Sequence, residues 1–215
     1  MNHYDLVMFD MDGTLMDSRE FHQEVFYRFL NQYVGPVTRP QVRRGMGDTV
    51  REIFDSVGVP ETELEMLFRK LDDFCRNEVD GLAAQIPVVP GTRELLEALK
   101  QKGIKRALLT NSMEVVSERM LAANGLLEYF DAISGADFYS VNKIERCSRL
   151  EKRMGAKRVL YVGDTEKDIE LAHSMGYDCC FAETEFGWYA DREYIFQVLK
   201  PEYAVTDIKE IRKFV

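Results

Sequence analysis

The sequence predicts an α/β fold, a parallel β-sheet covered by helices on both faces and interrupted near its start by a wholly helical insertion. Three observations predict it. After Pro90-Gly91 the chain repeats a unit of amphipathic helix, glycine and short apolar run, the pattern of strands joined by helical crossovers. The apolar runs are continuous, as strands buried on both faces require. Between the first such run and the repeats lies a block whose apolar residues recur at helical spacing.

Taken in order, "YDLVMFD" (4–10) reads as a buried strand that ends at a turn signal. In the block that follows, Phe21, Val25, Phe26, Phe29, Leu30 and Tyr33 form a first stripe. Val50, Ile53, Phe54 and Val57 form a second, and Leu64, Leu67, Phe68, Leu71, Phe74 and Cys75 a third. Gly35-Pro36, Gly45-Met46-Gly47 and Gly58-Val59-Pro60 punctuate them, and "IPVVPG" closes the block near residue 85. Helix is then predicted over 92–103, strand over 104–111, helix over 112–125 and a short strand over 130–135. Helix over 143–155, strand over 157–164, helix over 165–176 and strand over 177–182 follow, with a last short strand at "YAVT" (203–206). This divides the chain into a core, 1–15 with 86–215, and an inserted unit, 16–85.

Composition narrows the function. The 215 residues carry a net charge of -9, which disfavours a general nucleic-acid binder, since such a protein must displace counterions from phosphates. It leaves room for a small anion, because a metal ion and a few local donors can invert the sign at one site. No apolar stretch approaches a membrane span, and residues 1–10 lack the pattern of a signal peptide, so the expected setting is cytoplasmic, with no membrane partner. Cys75, Cys147, Cys179 and Cys180 form no CxxC pair, and the vicinal pair sits in an apolar run that reads as buried strand. Whether the chain is a monomer or a homodimer is left open.

In parallel sheets sites form where loops converge at the carboxyl ends of strands. The first strand delivers Asp10, Asp12, Gly13 and Thr14 there, and the strand at 104–111 delivers Thr110, Asn111 and Ser112. The loop after 130–135 leads to Lys143, and the strand at 157–164 delivers Asp164, Thr165 and, a turn later, Asp168. Asp, Asn and Ser also cap helices and turns, so each group alone has an ordinary structural use. Four groups at four strand ends do not. Several carboxylates at one point raise each other's pKa unless a cation sits among them, and oxygen ligands beside phosphate suit Mg²⁺. Spacing of two lets Asp10 and Asp12 divide the work, one as nucleophile and one as proton carrier. Thr110, Asn111 and amides near Gly13 could then hold phosphoryl oxygens, with Lys143 as a balancing charge.

"DMDGT", "LLTNS", a lysine and "GDTEKD", in that order, resemble the four motifs of the haloacid dehalogenase superfamily of phosphohydrolases. The resemblance covers essentially the whole chain. It implies a Rossmann-like core with a four-helix cap inserted after the first motif. It makes Asp10 the nucleophile that forms an aspartyl-phosphate, and Asp12 the acid that protonates the leaving alcohol and then activates water. It places Mg²⁺ on the Asp10 carboxylate, the Asp12 carbonyl and Asp164, with Asp168 in support, and phosphate on Thr110 and Asn111. One departure stands out. The family's lysine is commonly followed by proline, whereas Ile144 follows Lys143; Lys152 and Lys167, on helices, are the weaker choices.

His22 lies where related enzymes often carry a histidine, and Arg44, with Arg43 and the Gly45-Met46-Gly47 segment, could read a second anionic group on the substrate. Thr14 is expected to bond locally, and Trp188 to pack. The leading expectation is a Mg²⁺-dependent phosphatase acting on a small phosphate ester, similar to phosphoglycolate phosphatases. A sugar-phosphate mutase of β-phosphoglucomutase type uses the same aspartate pair, and a non-catalytic phosphate-binding module is the reading from another class. Dehalogenase and phosphonatase relatives lack an aspartate at the position of Asp12.

Overall fold

The computed structural model describes residues 4–137 and 142–215, and at 78–82 the backbone only. Among the described residues, six strands form one sheet: β1 (Leu6–Phe9), β2 (Lys105–Met113), β3 (Ala132–Ala136), β4 (Val159–Gly163), β5 (Asp178–Ala182) and β6 (Tyr203–Val205). Their order is β3-β2-β1-β4-β5-β6, and every pairing is parallel. The chain moves outward from β1 to β2 and β3, then returns to the other side of β1 to lay down β4. That reversal opens a crevice at the carboxyl ends of β1 and β4, the place where parallel sheets bind ligands.

Both faces of the sheet are buried, which is why the strands read as unbroken apolar runs. Successive residues of β1 point to opposite faces. Val7 and Phe9 join the core layer that also holds Leu108, Leu160 and Val162, whereas Leu6 and Met8 join the layer of Ala107, Leu109 and Tyr161. Phe9 is fully buried, and its truncation to alanine would cost about 3–5 kcal/mol.

The helical block between β1 and β2 contains α1 (Arg19–Tyr33), α2 (Arg39–Arg44), α3 (Val50–Ser56) and α4 (Glu61–Leu82). The predicted stripes form the buried faces of α1, α3 and α4 except for Tyr33, which is exposed, and Val57, which follows the end of α3; Phe29 stacks on Phe54 at 6.0 Å between ring centroids. The short helices α2 and α3 start on capping boxes, Thr38 with Gln41 and Thr49 with Glu52. The block leaves and rejoins the sheet at one place. Asp17 N donates to Pro87 O at 2.8 Å, Val89 N to Leu15 O at 2.9 Å, and Met16 bridges Val88 in antiparallel fashion.

The rest alternates as predicted: α5 (Thr92–Gln101), α6 (Glu114–Ala123), α7 (Lys143–Met154), α8 (Glu166–Ser174) and the short α9 (Arg192–Tyr194). One boundary moves. Helix was expected from 112, but β2 runs on through Met113, which pairs with Ala136 after a shift in register, so Asn111 and Ser112 are strand residues. Part of the loop expected to lead to Lys143, at 138–141, lies outside the described residues. All four cysteines are free and buried. No helix among the described residues is long and apolar enough to cross a membrane.

Candidate active site

Asp10 follows β1 directly, and its amide donates to Val162 O of the neighbouring β4 at 2.9 Å. The chain then turns tightly. Leu15 N and Met16 N donate to Met11 O, and Gly13 N donates to Met16 O at 2.8 Å. The Gly13 amide itself is thereby spent inside the loop. Among the described residues the loop's bonds leave the Met11 and Asp12 amides unused. Gly13 is there for room and conformation. Its φ is +84°, and a Cβ would stand 2.5 Å from Asp164 Oδ2 and 2.7 Å from the Trp188 ring.

The two aspartates of this loop occupy opposite surroundings. Asp10, Asp164 and Asp168 form one group, each buried, with one oxygen of each within 4.8 Å of the others. Lys143 Nζ reaches in from the first turn of α7 and donates to Asp10 Oδ1 at 2.7 Å and Asp168 Oδ1 at 2.9 Å. Burial, with Asp168 and Asp12 nearby, still pushes Asp10 up to about 7 against the pull of Lys143. Burial and the same crowding push Asp164 well above the usual carboxylate range. Burial would raise Asp168 too, but Lys143 and Thr165 hold it below its ordinary value. Lys143 keeps its proton firmly, because Asp10 and Asp168 outweigh the burial that opposes its charge.

Asp12, two residues on, is bonded by four side chains. Ser18 Oγ (2.5 Å) and His22 Nε2 (2.9 Å) meet its Oδ1, while Ser112 Oγ (2.6 Å) and Thr110 Oγ1 (3.2 Å) donate to its Oδ2. Burial alone would raise its pKa, yet His22 and the serine hydroxyls hold it at about 2. His22 thus joins the site, tied to Asp12 from the first turn of α1.

Asp164 is fixed from two sides. Thr14 Oγ1 donates to its Oδ1 at 2.5 Å and the Trp188 amide to its Oδ2 at 2.6 Å. Thr14 is wholly buried, so it supports Asp164 and does not reach a ligand. Asp168 closes a capping box with Thr165 at the start of α8 and also accepts from Tyr161 OH at 3.1 Å. Gly163 permits this, since a Cβ there would collide with Asp168. Three buried acids, two of them forced toward protonation, fit a hard divalent cation, whose charge would lift the repulsion.

Of these carboxylates Asp10, Asp12 and Asp168 line a cavity of about 310 Å³, and Asp164 stands behind them off its wall. Asp10, Asp12, Thr110, Asn111, Lys143 and Asp168 line it, as do His22 and Arg44, so the structure brings most of the predicted residues together. Arg44 is exposed at the end of α2. Of the weaker lysines, Lys167 pairs with Asp48 and Lys152 lies exposed on α7. Lys143 needs no following proline, because Asn142 caps α7 by accepting from Glu145 N at 2.9 Å.

Three contributors escaped sequence reasoning, Ser18, Arg146 and the Trp188 amide, whereas Ser112 was expected at this strand end. Ser18 and Ser112 hold Asp12, and the Trp188 loop holds Asp164. Arg146, buried on α7, donates to Thr110 O at 2.7 Å and Asn111 Oδ1 at 2.8 Å and so fixes the end of β2. Ser18 stood one turn before His22, so proximity was an available signal. Nothing local marked Arg146 or the Trp188 amide.

Comparison with known proteins gives a consistent picture. The model of a family described as haloacid dehalogenase-like hydrolase matches residues 7–182. A phosphoglycolate phosphatase of Aquifex aeolicus is 31% identical over 188 residues, 80% of this chain and 81% of its own. One from Neisseria meningitidis is 27% identical over 98% of this chain and 93% of its own. A solved structure of a predicted phosphoglycolate phosphatase from Haemophilus somnus, 22% identical, shares the fold with a TM-score of 0.80 over 99% of this chain and 98% of its own.

Proposed function

The chain belongs to the haloacid dehalogenase-like hydrolase family, and from that premise we propose that it is a phosphatase hydrolysing a small phosphate monoester through an aspartyl-phosphate on Asp10. One observation carries the reading: two carboxylates of one loop are placed differently, Asp10 against Lys143 and the acids Asp164 and Asp168, and Asp12 within a network of proton-bearing side chains, Ser18, His22, Thr110 and Ser112. The names of the relatives agree with it.

Mg²⁺, held by Asp10 and Asp164 with Asp168 in support, would supply the positive charge that lets a phosphate dianion approach these acids. Lys143 adds a fixed charge on Asp10, orienting the carboxylate and leaving its second oxygen to attack phosphorus. Asp12, whose amide the loop leaves unused, lines the place for phosphoryl oxygens together with Thr110 and Asn111. As the P–O bond to the alcohol breaks, Asp12 in its protonated form gives its proton to the leaving oxygen. Asp12 then takes a proton from water, whose oxygen attacks the phosphorus of the aspartyl-phosphate. Phosphate leaves and Asp10 is regenerated.

We read residues 1–15 and 86–215 as the catalytic core and 16–85 as a cap, supported by the paired crossing at Met16 and Val88. The cap would exclude bulk water from the intermediate. The test is phosphate release from a panel of small monoesters in Mg²⁺ or EDTA, with Asp10→Asn beside the wild type. Metal-dependent turnover should fall by about four orders of magnitude or more in the variant. Sugar phosphates that isomerise without net release would replace the phosphatase reading with a mutase. Turnover that survives Asp10→Asn would remove Asp10 as nucleophile.

A further inference from the structure

Away from the carboxylates the cavity changes character. Its wall there is Phe21 and Phe26 of α1, Val50 and Ile53 of α3, Val116 of α6, and Trp188. The polar groups that line it are mostly committed elsewhere. Lys143 sits on Asp10 and Asp168, Lys167 pairs with Asp48 at 2.5 Å, and His22 bonds Asp12. The Asn111 amide accepts from Arg146 and faces Gly47 O at 3.4 Å. Arg44 lies exposed in the last turn of α2, where its charge complements the carbonyl end of the helix.

A leaving group bearing a carboxylate or a ring of hydroxyls would give up water along this wall and find in return only the unpartnered Trp188 indole N–H and the exposed Arg44. A hydrocarbon would gain by the same move. The volume points the same way. At about 30 Å³ per water, the 310 Å³ cavity has room for about ten waters, more than a phosphoryl group and a two-carbon acid fill.

We infer that the ester this cavity takes is the phosphate of an apolar alcohol, an aliphatic chain or aromatic ring with the phosphoryl group at one end. Short anionic esters such as phosphoglycolate are poor occupants. The inference rests on the phosphatase reading of the site and adds the class of its leaving group. The reaction is unchanged: the alcohol departs with the proton from Asp12, and water supplies the new oxygen on phosphorus.

The experiment compares the n-alkyl phosphates from methyl to hexyl, phenyl phosphate and phosphoglycolate as substrates of the wild type in Mg²⁺. In parallel, hexyl phosphate and phosphoglycolate are titrated calorimetrically into Asp10→Asn. For the wild type, kcat/KM should rise about threefold to fourfold per methylene until the wall is reached, and hexyl phosphate should exceed phosphoglycolate by about tenfold or more. Val116→Phe should bring forward the chain length at which the gain stops; the wild-type series decides the matter even where that variant folds poorly. A flat or falling series with phosphoglycolate preferred overturns the inference and leaves the phosphatase reading standing. No release from any ester, with hexyl phosphate still the tighter binder of Asp10→Asn, overturns the phosphatase reading and supports the apolar occupant.

Discussion

One wall of the cavity is almost all charge and the other almost all hydrocarbon. The charged wall is assembled from loops at the ends of β1, β2 and β4 and the first turn of α7, each carboxylate held by donors from another element. The hydrocarbon wall comes largely from Phe21 and Phe26 of α1 and Val50 and Ile53 of α3, side chains that offer no directed bonds. The difference teaches where each property is stored. Bond-making chemistry needs fixed distances, and the buried sheet supplies them; substrate choice needs only shape and polarity, which helices can change residue by residue.

Removing Lys143 should break the charged wall most severely. Lys143→Met leaves Asp10 and Asp168 without their shared cation, for a loss of about 3–5 kcal/mol in urea denaturation. Turnover should drop by about two to three orders of magnitude. A variant as stable and active as the wild type would show that the charged wall is not held together by this residue. Gly13→Ala comes next. It forces a side chain into φ +84° and against Asp164, at a cost of about 1–3 kcal/mol, and should weaken Mg²⁺ binding about 10-fold to 100-fold. Unchanged calorimetric affinity for Mg²⁺ would mean that Asp164 is not set by this contact.

A pH experiment sharpens the comparison further. Asp10 is raised from 3.8 to about 7, so the folded protein binds more protons than the unfolded chain between those values. Without a cation, stability is then greatest below about pH 4 for this group and is lost as pH rises through about 7. Mg²⁺ should therefore raise Tm more at pH 8 than at pH 5, and an equal gain at both would contradict an acid cluster relieved by the ion. The smallest effect belongs to the link between the walls. The Lys167 side chain is 64% exposed in its pair with Asp48, so Lys167→Gln should cost less than about 1 kcal/mol. A tenfold change in KM from that substitution would show the two walls to be coupled and the comparison too simple.

The same contrast decides what could be read in advance. The strand ends were legible because Asp10, Asp12, Thr110, Asp164 and Asp168 lie within a few residues of apolar runs that announce themselves. The stripes of α1, α3 and α4 were legible for the same local reason, whereas α2, six residues with Val42 as its buried side chain, left no stripe. Lys143 looked irregular without a proline, because capping by Asn142 is an equivalent local solution. Arg146 reads as one more charge on a polar helix, and only the approach of α7 to the end of β2 makes it a clamp on two main-chain and side-chain oxygens. The Trp188 amide is the extreme case: a backbone donor has no letter in the sequence, and its role exists only because an irregular loop folds back over Gly13.

The crossing at Met16 and Val88 has a mechanical meaning. Two chain passages joined as neighbouring strands stand about 5 Å apart, like two hinge pins set close together on one edge of a door. Such a mounting admits rotation about one axis and resists lifting or sliding. Points near the axis then travel little, and points far from it travel far. Ser18 and His22 follow the pins within a few residues, so their grip on Asp12 has a short lever arm. Gly47 and Asp48 make the contacts with Asn111 and Lys167 that any such rotation would have to break.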